Sequence, residues 1–139
     1  MNAPAFPLEA LAPIEPRPDR DAFTISDLCA EFSVTPRALR FYEDEGLIAP
    51  ERRGTSRIYS HRDRARLAWI LRGKRVGFSL GEIKEMIDLY DVGDGRSTQK
   101  QVTLERCLDR IALLENQKRD IDAHIAELHQ FVDLLKSSD

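Results

Sequence analysis

From Leu104 to Leu135 the apolar residues recur at helical spacing: Leu104, Leu108, Ile111, Leu114, Ile121, Ile125, Leu128, Val132 and Leu135. From Leu114 onward the steps alternate four and three, with Lys118 filling one slot. That alternation keeps one stripe turned toward a neighbouring helix and is the seam of a coiled coil. A helix over residues 99–136 spans on the order of 55 Å at 1.5 Å per residue. A small domain cannot cover that length, so the stripe needs a second helix. A second copy of the chain is the simplest source, and a helix folded back on its own domain is the alternative.

Upstream, the chain is cut into short pieces. Residues 1–21 hold five of the seven prolines and predict a disordered tail. Thr24 with Asp27 forms a capping box, with Phe23 stapled to Leu28, and opens a helix of about two turns that ends at Glu31 or Phe32. After a turn at Ser33–Val34, Thr35 is a second N-cap and Pro36 stands at the first helical position, where its missing N–H costs nothing. This second helix runs to about Glu45 and stops at Gly46. Two short helices and a tight turn have the size of a helix-turn-helix. Leu47 and Ile48 before a polar turn, and Ile58 and Tyr59 after it, predict a small β-hairpin wing. Ser60 with Asp63 and Ser79 with Glu82 open two more helices, and Gly77 separates them. The fold class is mainly α. A winged helix-turn-helix domain over residues 22–91 is followed by a linker over 92–98 and a long helix over 99–136.

The composition, 42% apolar and 32% charged, is that of a soluble chain of 139 residues. No apolar run reaches the ~18–20 residues of a membrane span, and the N-terminus lacks the pattern of a secretory signal. Cys29 and Cys107 are too few and too far apart for a disulfide framework or a four-ligand zinc site, which predicts a reducing, cytoplasmic setting. His124 and His129 are five apart, off one helical face, so no metal pair is expected. The chain has no glycine-rich phosphate loop, nucleophile–base pair or metal cluster, so neither an enzyme nor a cofactor is expected.

The net charge of −3 conceals a division. Residues 22–78 carry eleven basic against seven acidic residues, net +4, and residues 79–139 carry eight against thirteen, net −5. A basic middle beside an acidic helix directs an anionic partner to the middle alone. The second helix, "TPRALRFYEDEG", places Arg37 and Arg40 at its front and Glu43, Asp44 and Glu45 at its back. Solvated helices favour the reverse order, because the N-terminal end of the dipole is positive. The inversion fits a helix whose front turn enters a DNA major groove. Arg52, Arg53 and Arg57 on the hairpin, and Arg72, Lys74 and Arg75 on the third helix, could hold neighbouring phosphates.

The landmarks "RALRFYEDEGLI", "RIYS" and "VGFSLGEIKEMI" make residues 22–91 similar to the DNA-binding half of MerR-family transcription regulators. The long helix resembles that family's antiparallel dimerisation coiled coil. The resemblance implies a homodimer that binds a pseudo-palindromic double-stranded promoter and distorts its spacer, with RNA polymerase at the same promoter. By position it implies DNA contacts from Thr35, Arg37, Arg40 and Tyr42 on the recognition helix, Arg57 and Tyr59 on the wing, and Lys74 beyond it. Arg53 joins this set on charge alone. Metal-sensing members carry cysteines just past the coiled coil, where this chain reads "VDLLKSSD", and drug-sensing members append a ligand domain that is absent here. "APERRGTSRIYS" and "ILRGKRVGFSLGEIKEMIDLYD" are similar to the short regulators of branched-chain amino-acid and acyl-CoA catabolism, the LiuR-like subgroup, which implies an acyl-CoA-type effector. The alternatives are an architectural or adaptor helix-turn-helix protein, and a redox- or metal-responsive regulator using Cys107. An antiparallel pair meets only near its midpoint, and Cys107 is not there.

Overall fold

A computed structural model describes residues 17–89 and 95–138, with side chains of the last helix from Thr98 onward. The expected tail over 1–16 and the linker residues 92–94 lie outside the described residues. The element order is β1 (Phe23–Thr24), α1 (Ile25–Phe32), α2 (Pro36–Asp44), β2 (Glu51–Arg53), β3 (Ser56–Tyr59), α3 (His61–Arg75), α4 (Leu80–Asp88) and α5 (Gly95–Ser137). The chain divides into two compact units, through Val102 and from Thr103.

The helix starts are where the cap residues put them. Thr24–Asp27, Ser60–Asp63 and Ser79–Glu82 each form both legs of a capping box. Thr35 accepts from the Ala38 N–H at 3.1 Å, with Pro36 in the first turn. Ser33 turns left-handed (φ 55) and passes the chain from α1 to α2. The apolar faces of these helices close over one core that includes Leu28, Leu39, Tyr42, Leu67, Trp69, Ile70, Ile83, Met86 and Ile87. Gly73 allows α4 its close approach to α3: a Cβ there would stand 3.0 Å from Ile83 Cγ1.

The strands differ from expectation. Leu47 and Ile48 are buried in the turn after α2 and form no strand. The hairpin begins instead at the wholly polar Glu51–Arg53, where the backbone ladder, not apolar alternation, supports the pairing. Gly54 (φ 63) takes the first position of its two-residue turn, a conformation glycine adopts without steric cost. Phe23 and Thr24 do more than staple and cap: they pair antiparallel with Tyr59 and Ile58, so the sheet has three strands in the order β1-β3-β2. Structured contacts also start before Phe23. Arg20 pairs with Asp27, and its guanidinium stands 5.1 Å from the Phe23 ring centroid.

The last helix begins at Gly95, inside the stretch read as linker, and its first turns belong to the first unit. Gln99 is buried and donates to the Met86 carbonyl at 2.6 Å, and Val102 packs on the core. In the second unit the seam residues are open in the single chain, from 42% exposed at Leu114 to 74% at Leu135.

Two carboxylates link charge to stability. The Thr24 N–H, followed by the Arg20 guanidinium, holds the Asp27 carboxyl below its ordinary 3.8. Burial alone would raise Asp88, but the bonds from Lys84 and Arg66 outweigh it and hold Asp88 below 3.8 as well. A depressed folded-state pKa means that the unfolded chain takes up these protons first on acidification. The stabilisation from these two groups is therefore complete above the ordinary value and is lost as pH falls through the folded values. Urea midpoints measured downward from pH 7 should stay level with respect to these groups and then drop below about pH 4. The Asp88→Asn variant should lose part of that acid sensitivity, and an unchanged profile would remove Asp88 from it.

Candidate nucleic-acid interface

Helix α2 has two faces. Leu39 and Tyr42 point into the core, while Arg37, Arg40, Phe41 and Asp44 are exposed. Arg37 and Arg40 have no ion-pair partner among the described residues. No acid occupies the first turn and no base the last. Two free guanidinium groups thus add to the positive end of the helix dipole, an arrangement suited to an anion. Thr35 is exposed at the same end, with its hydroxyl engaged as the cap.

The other two basic clusters reach α2 through adjacent residues at its back. Lys74 Nζ donates to the Tyr42 hydroxyl at 3.5 Å and lies 5.7 Å from the ring centroid. Glu43 takes the wing: Oε1 accepts from Arg57 Nε at 2.7 Å and Oε2 from Arg52 Nη2 at 3.2 Å. Burial would raise the Glu43 carboxyl, but the hydrogen bonds and charges of Arg57 and Arg52 outweigh it and hold it below the ordinary 4.5. The same contact pushes Arg57 up, so the guanidinium stays charged. Arg53 stays at the exposed tip of the hairpin, paired with Glu51 at 3.1 Å.

Two residues expected at the DNA face are buried. Tyr59 is 0% exposed, and its hydroxyl is buried with no hydrogen-bond partner. Its ring packs under the sheet because position 59 faces inward in the register Phe23↔Tyr59. Tyr42 is also buried, and its hydroxyl accepts from Lys74. Glu43 is the wing's anchor, an acid at the back of α2 that binds the domain's own basic groups. The signal was present in the hairpin: a two-residue turn makes Arg52 and Arg57 direct cross-strand neighbours, and two facing cations call for an acid nearby.

Two arginines of the basic middle serve the fold. Arg64 is buried and grips Glu31 of α1, with Nε 2.9 Å from Oε1. Arg66 is buried, with Nε donating to the Leu47 carbonyl at 2.6 Å and Nη2 to Asp88 at 2.9 Å. Both cysteines are half-buried, and burial pushes each thiol up, although Arg40 partly opposes this at Cys29. That direction favours the protonated thiol, the weaker nucleophile and ligand.

The place of Tyr59 can be tested directly. Removing a buried hydroxyl that lacks a partner relieves a desolvation cost, so Tyr59→Phe should leave thermal stability unchanged or raise it by up to about 1 kcal/mol. Its affinity for DNA should stay within about two-fold of the parent in a mobility-shift titration. A large affinity loss at unchanged stability would return Tyr59 to the interface.

Comparison with known proteins agrees with this geometry. A family model described as MerR HTH family regulatory protein matches residues 23–89, and one described as MerR, DNA binding matches residues 64–137. The HTH-type transcriptional regulator CueR of Salmonella typhimurium is 32% identical over 113 residues, which cover 80% of this chain and 75% of that one. The HTH-type transcriptional regulator ZntR of Escherichia coli is 29% identical over 108 residues, covering 76% and 70%. The crystal structure of a MerR-family transcriptional regulator from Bacillus cereus superposes with a TM-score of 0.63 at 26% identity, covering 85% of each chain. Matched through both its DNA-binding unit and its long helix, the chain belongs to the MerR family of DNA-binding transcriptional regulators.

Proposed function

We propose that the protein acts in the cytoplasm as an antiparallel homodimer on a pseudo-palindromic promoter and distorts the promoter spacer in the presence of RNA polymerase. The observation that carries the DNA reading is the pair of unpaired arginines, Arg37 and Arg40, at the positive end of α2. Thr35, Arg37 and Arg40 are the groove contacts. Arg53 and Arg57 on the wing and Lys74 on α3 are the backbone contacts. Tyr42 orients Lys74. The homodimer reading rests on the open apolar seam of α5. The likeness of the wing and of α3–α4 to the short catabolic regulators supports a small acyl-CoA-type metabolite as the signal. Footprints of the upstream region of its own gene, with and without short acyl-CoAs, read that response directly.

Arg40→Ala should weaken operator binding by about 1–3 kcal/mol and relax the base preference at one position. An equal loss on operator and on scrambled DNA would make Arg40 a phosphate contact only. Lys74→Ala should lower the slope of log affinity against log salt by roughly one, and an unchanged slope would place it off the backbone.

The seam is tested by Ile125→Asp, which sets a carboxylate among apolar side chains. Sedimentation should show a monomer, with operator affinity reduced more than ten-fold through the loss of bivalent binding. A stable dimer would move the association surface elsewhere.

A further inference from the structure

We infer that Glu43 sets operator specificity from behind the DNA face, as a positioning residue that holds the wing arginines on α2 and penalises DNA that does not fit. This rests on the DNA-binding reading above and adds a residue with the wrong charge to touch DNA itself.

Arg52 and Arg57 are directly opposed on antiparallel strands. Like charges in that position repel. One carboxylate accepts from both, at 2.7 Å from Arg57 and 3.2 Å from Arg52. The two bonds are unequal. Arg57 and Glu43 are 19% and 20% exposed at their side chains, whereas Arg52 is 57% exposed. Arg57 is the fixed strut, with its Nε on Glu43 and its Nη groups left for the backbone contact proposed above, and Arg52 is the exchangeable cation. Glu43 also lies three residues beyond Arg40 on the same helix, so the strut fixes the hairpin relative to the residues at the front of α2.

A duplex that runs from the front of α2 to the wing in this register brings a phosphate to Arg52. The phosphate takes the place of the carboxylate, and Arg57 keeps Glu43 neutralised. A duplex seated otherwise supplies no such phosphate and meets a negative charge close to its own. Loss of the carboxylate therefore has opposite effects on the two kinds of DNA. Non-cognate binding gains from one more net positive charge. Cognate binding loses the alignment of wing and helix.

The test uses the full chain and an operator selected by the wild type from a random duplex pool. If that selection yields no preferred sequence, the DNA-reading function itself fails, independently of Glu43. With an operator in hand, Glu43→Gln should bind scrambled duplex about two- to five-fold tighter and the operator about ten-fold weaker. Glu43→Asp keeps the charge but withdraws it by one methylene. It should weaken the operator while leaving scrambled DNA unchanged, and it carries the test if Glu43→Gln does not fold. In an Arg52→Gln, Arg57→Gln background, Glu43→Gln should change operator affinity by less than about two-fold, because the groups it acts through are gone. Parallel shifts on operator and scrambled DNA, or a full Glu43→Gln effect in the doubly substituted background, would overturn the inference.

Discussion

The Arg66 guanidinium is the tie on which the DNA-binding unit depends. It is buried in α3, and it joins the carbonyl that closes the turn after α2 to a carboxylate on α4. A buried charge with both ends answered is tolerated, and one left unanswered costs several kcal/mol. The bond to a backbone carbonyl also gives Arg66 a geometric demand that an apolar residue would not make. It fixes where the chain leaves α2. Arg64, two residues earlier, makes the corresponding demand on α1 through Glu31. Both helices of the helix-turn-helix are thus held by one helix.

With the inner face of α2 fixed, the outer face and the back end can take separate roles. The front turn keeps its arginines unpaired, at a cost in local stability that the core offsets. The back end gathers the other cations: Tyr42 receives Lys74, and Glu43 receives Arg52 and Arg57. The inverted charge order of this helix follows from that division. The Glu43 carboxylate stands away from the front turn, where it would cancel the dipole, and on the wing side, where two facing cations need it. Asp44 also adds to the field on Arg57.

Elements that declare themselves locally were legible in the sequence. Each capping box is a short-range bargain between residues three apart, and all three formed where they were read. Features that depend on distant partners were not. A strand of two residues such as β1 has no periodicity to detect, and it exists because Tyr59 and Ile58 lie beside it. Leu47 and Ile48 look like a strand because apolar pairs often are, but their burial satisfies a turn. Tyr59 invites a polar role because of its hydroxyl, and only the register shows that the ring faces inward. Gln99 reads as a polar helix residue until the Met86 carbonyl is seen beside it. Charge and place single out Arg37, Arg40 and Lys74 in the sequence, but cannot show which of eleven basic residues are consumed by the fold. Arg64 and Arg66 are two of them.

The two units present opposite kinds of surface, and that separation has its own physical logic. Among the described large apolar residues of the first unit, Phe41 and Val76 are the exposed ones, whereas in the second unit they run from Leu104 to Leu135. The stretch from residue 79 onward is also net acidic. A helix that is sticky to another helix but repelled by phosphate cannot easily compete for the duplex. Within the seam Lys118 interrupts the apolar run. Its ammonium cannot be buried against an apolar layer without penalty, so of the possible slips of one helix along another, those that let it reach solvent or an acid are favoured. In the proposed homodimer the least hydrophobic position of the stripe then restricts the register most.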